Sequence, residues 1–374
     1  ALPISRLPKE SEFSRRENYE AYLSRIEELP AVMDEYIGLM REGLRIGMTQ
    51  PRVVLEGRDQ PIRAQIVAEV EESVFYEPFL SQPEGMESAQ WEALQLRARS
   101  AVMQGVVPAY TRLLDFFHSH YLPGARETLG ASQLPNGARY YQSQIRWYAT
   151  VDMSAAQIHA IGLAEVQRIR SEMQDIIDEV GFEGDFSAFI EFLRTDPQFY
   201  ATSAHQLLAE ASYFAKKADG RLPQLFNRLP RQPYGVAPVP EDIAPFYTAG
   251  RYVGAPLEAS RGGYYWVNTH DLRSRPLYAL PALTLHEAAP GHHLQGALAL
   301  EQDDQPAFRR NDYISAYGEG WALYAERLGV ELEIYETPYQ HFGRLTYEMW
   351  RACRLVIDTG IHAMGWGQIG RAHV

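Results

Sequence analysis

The chain has 374 residues, 46% of them hydrophobic, enough for one large domain or two ordinary ones around a sizeable core. Its 35 basic against 48 acidic residues leave a net charge of -13, which argues against nucleic acid as a partner. A single cysteine, Cys353, excludes an intramolecular disulfide and any cysteine-only metal site, and no apolar run approaches the ~18 residues of a membrane span.

Most of the chain reads as helix. The first helical stretch, "SEFSRRENYEAYLSRIEELPAVMDEYIGLMREGLRIGM", supplies one or two helices with Pro30 as punctuation. A second runs from about Ser88 to Tyr121 and stops before "LPGA". The clearest is Ser154 to Val180, opened by a Ser154/Gln157 capping box and closed by Gly181. "DFSAFIEFLRT" and "SAHQLLAEASYFAKKADG" give two more. The texture then changes at about Leu222. "LPQLFNRLPRQPYGVAPVPEDIAP" is proline-rich and calls for extended segments and turns. "RYVGAP" and "GGYYWVNT" read as short strands, the latter as an edge strand able to bind substrate backbone or as a plain hairpin. Helices resume at about Ala282. The expected fold is mostly α with a small β element just before the histidine cluster. It is one domain over 1–374, or two lobes divided near 220.

That cluster is "LHEAAPGHHLQ". It holds three of the chain's 11 histidines. The zinc-helix pattern H-E-x-x-H places two imidazoles one turn apart on one face, with the glutamate beside the first acting as general base. Here Pro290 stands where the second histidine belongs. On a straight helix His292 would point ~120° away from His286, and His293 would sit ~10 Å along the axis. Pro290 cannot continue the helical bond and Gly291 permits an excursion, so the pair forces a kink that returns His292 to the missing ligand's place. His293 is the alternative. A third ligand is expected from "AYGEGWALYAERLGVELE", where Glu319 and Glu326 share a face and Gly318 and Gly320 leave room for a neighbouring helix.

The last helix, "YEMWRACRLVIDTGIHAMGW", carries one polar stripe of Tyr347, Arg351, Arg354, Asp358 and His362 on an otherwise apolar surface. Such a helix belongs against a polar cavity. Tyr347 or His362 is the candidate oxyanion stabiliser, and Arg351 or Arg354 the candidate partner of a peptide carboxylate. An alternative is a buried network in which Arg354 pairs with Asp358.

Together with "REGLRIGMTQPRVV", "YLPGARETLGASQLPNGARYY", "EVQRIRSEM", "FLRTDPQFY" and "RPLYALPALTLHEAAPGHHLQ", these residues resemble the bacterial domain of unknown function 885 family, grouped with the gluzincin-type zinc peptidases. The resemblance implies a helical peptidase-like fold. The Glu319–Glu326 spacing is also similar to the third-ligand helix of thimet-type oligopeptidases, which implies Glu319 as ligand and Glu326 as its support.

The resulting expectation is a hydrolase of peptide bonds in short peptides. One zinc ion sits on His286, His292 and Glu319, and Glu287 activates its water. The rivals are a metal-dependent hydrolase of a non-peptide amide or ester, and a non-catalytic peptide- or ligand-binding protein on the same fold. Compartment, exported or cytoplasmic, and oligomeric state stay open. The ending "IGRAHV" matches a reading frame of a common sequencing adapter, so the C-terminus is expected to be cut short and 369–374 to be non-native.

Overall fold

The computed structural model describes residues 3–8, 11–241, 243–257 and 261–367. The terminal segment read as non-native, 369–374, lies outside them. Contacts divide the chain into two compact units, 1–139 and 140–374. The division falls well before residue 220, where composition changes, because the helices after 140 share cores with the segments after 222.

The first unit is built on α1 (Arg16–Ile46), which is one helix despite Pro30. Pro30 removes a single hydrogen bond, while Ile26, Leu29, Met33 and Ile37 are buried on both sides of it. That burial offsets the roughly 3 kcal/mol cost of an interior proline. Helix α2 (Ser88–Ser100) runs through a π-helical stretch, Ala101–Val106, into α3 (Val107–Phe116) and a second π-helical stretch, Phe117–Tyr121. Each wide stretch ends two residues before a proline, Pro108 or Pro123, whose missing N–H such a turn accommodates. The core is aromatic, with Tyr19, Tyr22, Phe75, Phe79 and Trp91 packed together.

The second unit contains α4 (Gly137–Ala149), α5 (Ala155–Glu179), α6 (Phe186–Thr195) and α7 (Ala204–Arg221). The expected box opens α5, where Ser154 Oγ accepts from the Gln157 N–H and the Gln157 side chain accepts from the Ser154 N–H at 2.9 Å. Three short strands follow, β1 (Tyr234–Pro238), β2 (Gly250–Val253) and β3 (Gly263–Val267). Their order is β1-β3-β2, with β1 parallel and β2 antiparallel to β3. This corrects one expectation. "GGYYWVNT" is the centre of the sheet, paired on both sides, and cannot receive a substrate strand; the edge is β2. The proline-rich segment contributes β1 at the other edge, where Pro238, the strand's last residue, is tolerated.

The chain ends in α8 (Leu280–Glu287), α9 (His292–Leu300), α10 (Ala307–Asn311), α11 (Ser315–Glu331) and α12 (Pro338–His362). Ile169, Met173, Ile177, Phe189, Leu193, Phe342 and Leu345 form a core among α5, α6 and α12. Leu207, Tyr265, Val267, Leu280 and Ala288 join α7, the sheet and α8. No helix among the described residues is long and apolar enough to cross a membrane.

Candidate metal centre

The histidine cluster is two helices, not one bulged helix. Helix α8 stops at Glu287, Ala288 leaves helical space at ψ -118°, the Ala289–Pro290 bond is cis, and α9 starts afresh at His292. Gly291 is what lets the turn close. A Cβ on it would lie 1.9 Å from the His286 carbonyl oxygen and 2.4 Å from that of Leu285. No other residue fits. The Pro290 carbonyl accepts a 2.7 Å hydrogen bond from Trp321 Nε1, which fastens the turn to α11.

This geometry brings His286, His292 and Glu319 together. One ligating atom from each lies within 4.8 Å of the other two. His286 Nε2 is 3.6 Å from one Glu319 oxygen, and His292 Nε2 is 3.8 Å from the other. Ligand atoms about a tetrahedral zinc sit roughly 3.3 Å apart at ordinary Zn–N lengths, so the set would have to draw in by up to about 1.5 Å to hold one. His286 Nδ1 is 2.8 Å from Glu326 Oε1, an arrangement that makes Nδ1 the donor and leaves Nε2 free to ligate. Glu326 is fully buried, its Oε2 has no hydrogen-bond partner among the described residues, and Arg351 stands 3.5 Å from its Oε1.

Charges in the cluster are strongly coupled. Burial alone would push His286 down, but Glu319 and Glu326 outweigh it and lift the imidazole to about 9. The His286 imidazole holds the Glu319 carboxyl down, to about 2. Burial, with the charge of His286 added, pushes His292 down to about 4, so its imidazole is neutral at pH 7. Glu287 lies beside the three and accepts the Tyr252 N–H at 2.7 Å. Its carboxyl is raised by burial, against the lowering effect of His286 and that N–H. Two carboxylates, two imidazoles and a Tyr313 hydroxyl donating to Glu319 at 3.1 Å thus share one cleft of about 750 Å³.

The family model described as "Bacterial protein of unknown function (DUF885)" matches residues 2–369. The chain belongs to this family. No curated protein matches it. Among solved structures, a "putative lipoprotein" from Colwellia psychrerythraea is similar at 29% identity and TM-score 0.90, over 99% of this chain and 65% of that one. A "putative lipoprotein of unknown function" from Shewanella oneidensis shares the fold at 17% identity and TM-score 0.65, over 94% and 63%. The chain therefore spans less than two thirds of the length of either.

In this DUF885 chain the other sequence candidates separate. Tyr347, Arg351 and Arg354 line the cleft. His293 does not. It is buried against the Tyr234 ring with Nδ1 3.0 Å from the Tyr252 hydroxyl, and burial pushes it down to about 4. His362 is corrected out of the site. It follows Tyr347 by 15 positions, roughly 22 Å along the axis, and lies against Tyr141 and Asp358. Asp358 accepts from Tyr141 at 2.5 Å, and Arg354 stacks on Trp350 rather than pairing with it. Gly318 makes room for the Tyr313 ring, 2.4 Å from where a Cβ would stand, and not for a helix; Gly320 faces open space. Sequence reading missed Arg251, Tyr252 and Tyr313. They come from an edge strand and a loop that carry no ligand spacing. The only signal was the strand "RYVGAP" itself, whose alternation marks Arg251 and Tyr252 as facing opposite ways.

Proposed function

We propose that the protein is a metal-dependent hydrolase of peptide bonds with a gluzincin-type, zinc-peptidase-like fold, acting on short peptides. The observation that carries this is the convergence of the His286 and His292 Nε2 atoms and the Glu319 carboxylate within 4.8 Å, with Glu287 beside them as a non-ligating carboxylate. Two imidazoles and one carboxylate form an established ligand set for catalytic zinc and leave a coordination position open. Bound there, one zinc ion would supply a Lewis acid that polarises the scissile carbonyl and lowers the pKa of water.

The chain's own groups do the rest. Glu326 fixes the His286 ring so that Nε2 faces the site. The Tyr252 N–H orients Glu287, and burial raises its carboxyl toward the range where it takes a proton from the attacking water and returns it to the departing amine. Burial also holds the Tyr347 hydroxyl in its neutral form, a donor for the oxygen that gains charge. A cleft set among helices admits extended short chains more readily than folded proteins.

The test is Glu287→Gln, which keeps size and one acceptor oxygen but cannot take the proton. On peptides found by screening the zinc-loaded protein with mass-spectrometric readout, turnover is expected to fall by about 10²–10⁴-fold with zinc content unchanged. Retained turnover removes Glu287 as base. Lost zinc makes it a ligand instead.

A further inference from the structure

Resting on the reading of the cleft as a peptide-hydrolase site, its charges narrow the kind of peptide. Three guanidiniums line it, Arg251 from β2 and Arg351 and Arg354 from α12. Arg351 is engaged, 3.5 Å from Glu326 and near the Tyr347 and Trp350 rings. Arg251 and Arg354 face no carboxylate within 4.0 Å among the described residues. Other arginines of the chain also lack one, but these two do so inside the cleft that holds His286, Glu287, His292 and Glu319.

Arg354 lies 4.0 Å over the Trp350 indole. Stacking fixes the plane of the guanidinium while leaving its fork of N–H donors open, the geometry that receives a carboxylate in two parallel hydrogen bonds. Arg251 lines the same cleft as His286, Glu287, His292 and Glu319. The carboxylates native to the cleft are already occupied, Glu287 by the Tyr252 N–H and Glu319 by Tyr313 and the imidazoles. The unmet demand is for an anion brought by the substrate. Its position follows from the helix. Arg354 stands seven residues past Tyr347, roughly 10 Å along α12, a distance an extended peptide spans in about three residues at about 3.3 Å each.

We propose that the cleft selects peptides carrying a carboxylate within about three residues of the cleaved bond, with Arg354 as its main partner and Arg251 as the second cation. A free C-terminus and an Asp or Glu side chain supply the same group. The experiment uses zinc-loaded Glu287→Gln protein, immobilised and exposed to random tetrapeptides made as free acids and as C-terminal amides, with retained peptides read by mass spectrometry. Carboxylate-bearing peptides are expected to be retained about tenfold or more over carboxylate-free ones. A preference for acids over amides assigns the C-terminus; a preference for Asp and Glu over Asn and Gln among the amides assigns the side chain. Arg354→Gln is expected to erase most of that preference with zinc content unchanged, and Arg251→Gln to reduce it. Retention indifferent to carboxylates, no retention at all, or a preference that survives both variants overturns the proposal. Hydrolysis by the unaltered protein without charge preference sinks this proposal alone, while selective retention without hydrolysis of any peptide sinks the hydrolase reading alone.

Discussion

Among the described residues both compact units pair charges at the surface, but only the second also buries them. In the first, oppositely charged side chains meet at the surface. Arg97 pairs with Glu27, Arg99 with Glu71 and Arg112 with Asp34, and each of these side chains is 38–58% exposed. In the second, His286, Glu287 and Glu326 are buried within α8 and α11, and one Glu326 oxygen has no hydrogen-bond partner among the described residues. Exposed pairs cost little to form and contribute little. Buried, incompletely matched charges cost several kcal/mol each, and a fold retains them only where something else balances them.

The comparison breaks first at the ligands. His286→Ala or Glu319→Ala is expected to abolish stoichiometric zinc, and His292→Ala to cost far more affinity than His293→Ala, because His293 faces Tyr234 and Tyr252 instead. Metal analysis of the purified variants decides it, and equal loss for the two neighbouring histidines would refute the two-helix turn. Next comes the support beneath them. Glu326→Gln keeps the hydrogen bond to His286 but removes the charge, and a loss of roughly 10–100-fold in zinc affinity is expected by competition titration.

A third effect concerns protons. His286 has a folded-state value of about 9, above the 6.5 of a free imidazole, so the metal-free protein carries its proton at pH 7. Its contribution to stability is complete below about pH 6.5 and is lost as pH rises through about 9. Zinc must displace that proton. Calorimetry in buffers of different ionisation enthalpy should therefore count about one proton released per ion at pH 7, falling toward zero above pH 9. The smallest effect lies in the first unit, where Arg97→Met is expected to change unfolding free energy by about 1 kcal/mol or less in denaturant titration.

Local chemistry was legible in the sequence wherever it acted along the chain. The Ser154/Gln157 box opens α5, and Pro290-Gly291 does re-aim His292 toward His286, since both effects follow from bonds made or forbidden within a few residues. Periodicity gave the face of α12 but not the depth of the cleft, so Tyr347 and Arg351 were placed in it and His362 was wrongly included. Pairing between distant segments left no local trace. The central position of Gly263–Val267, and with it the edge role of Gly250–Val253 beside Glu287, depends on which strand lies between which, and alternation is the same at centre and edge.

The hydrogen bond from Trp321 to the Pro290 carbonyl has a mechanical consequence. Thirty residues of chain separate the turn from that indole, yet the bond makes His292 and Glu319 parts of one linkage, because Trp321 stands two residues from Glu319 and Pro290 two from His292. A displacement of α11 carries the turn with it.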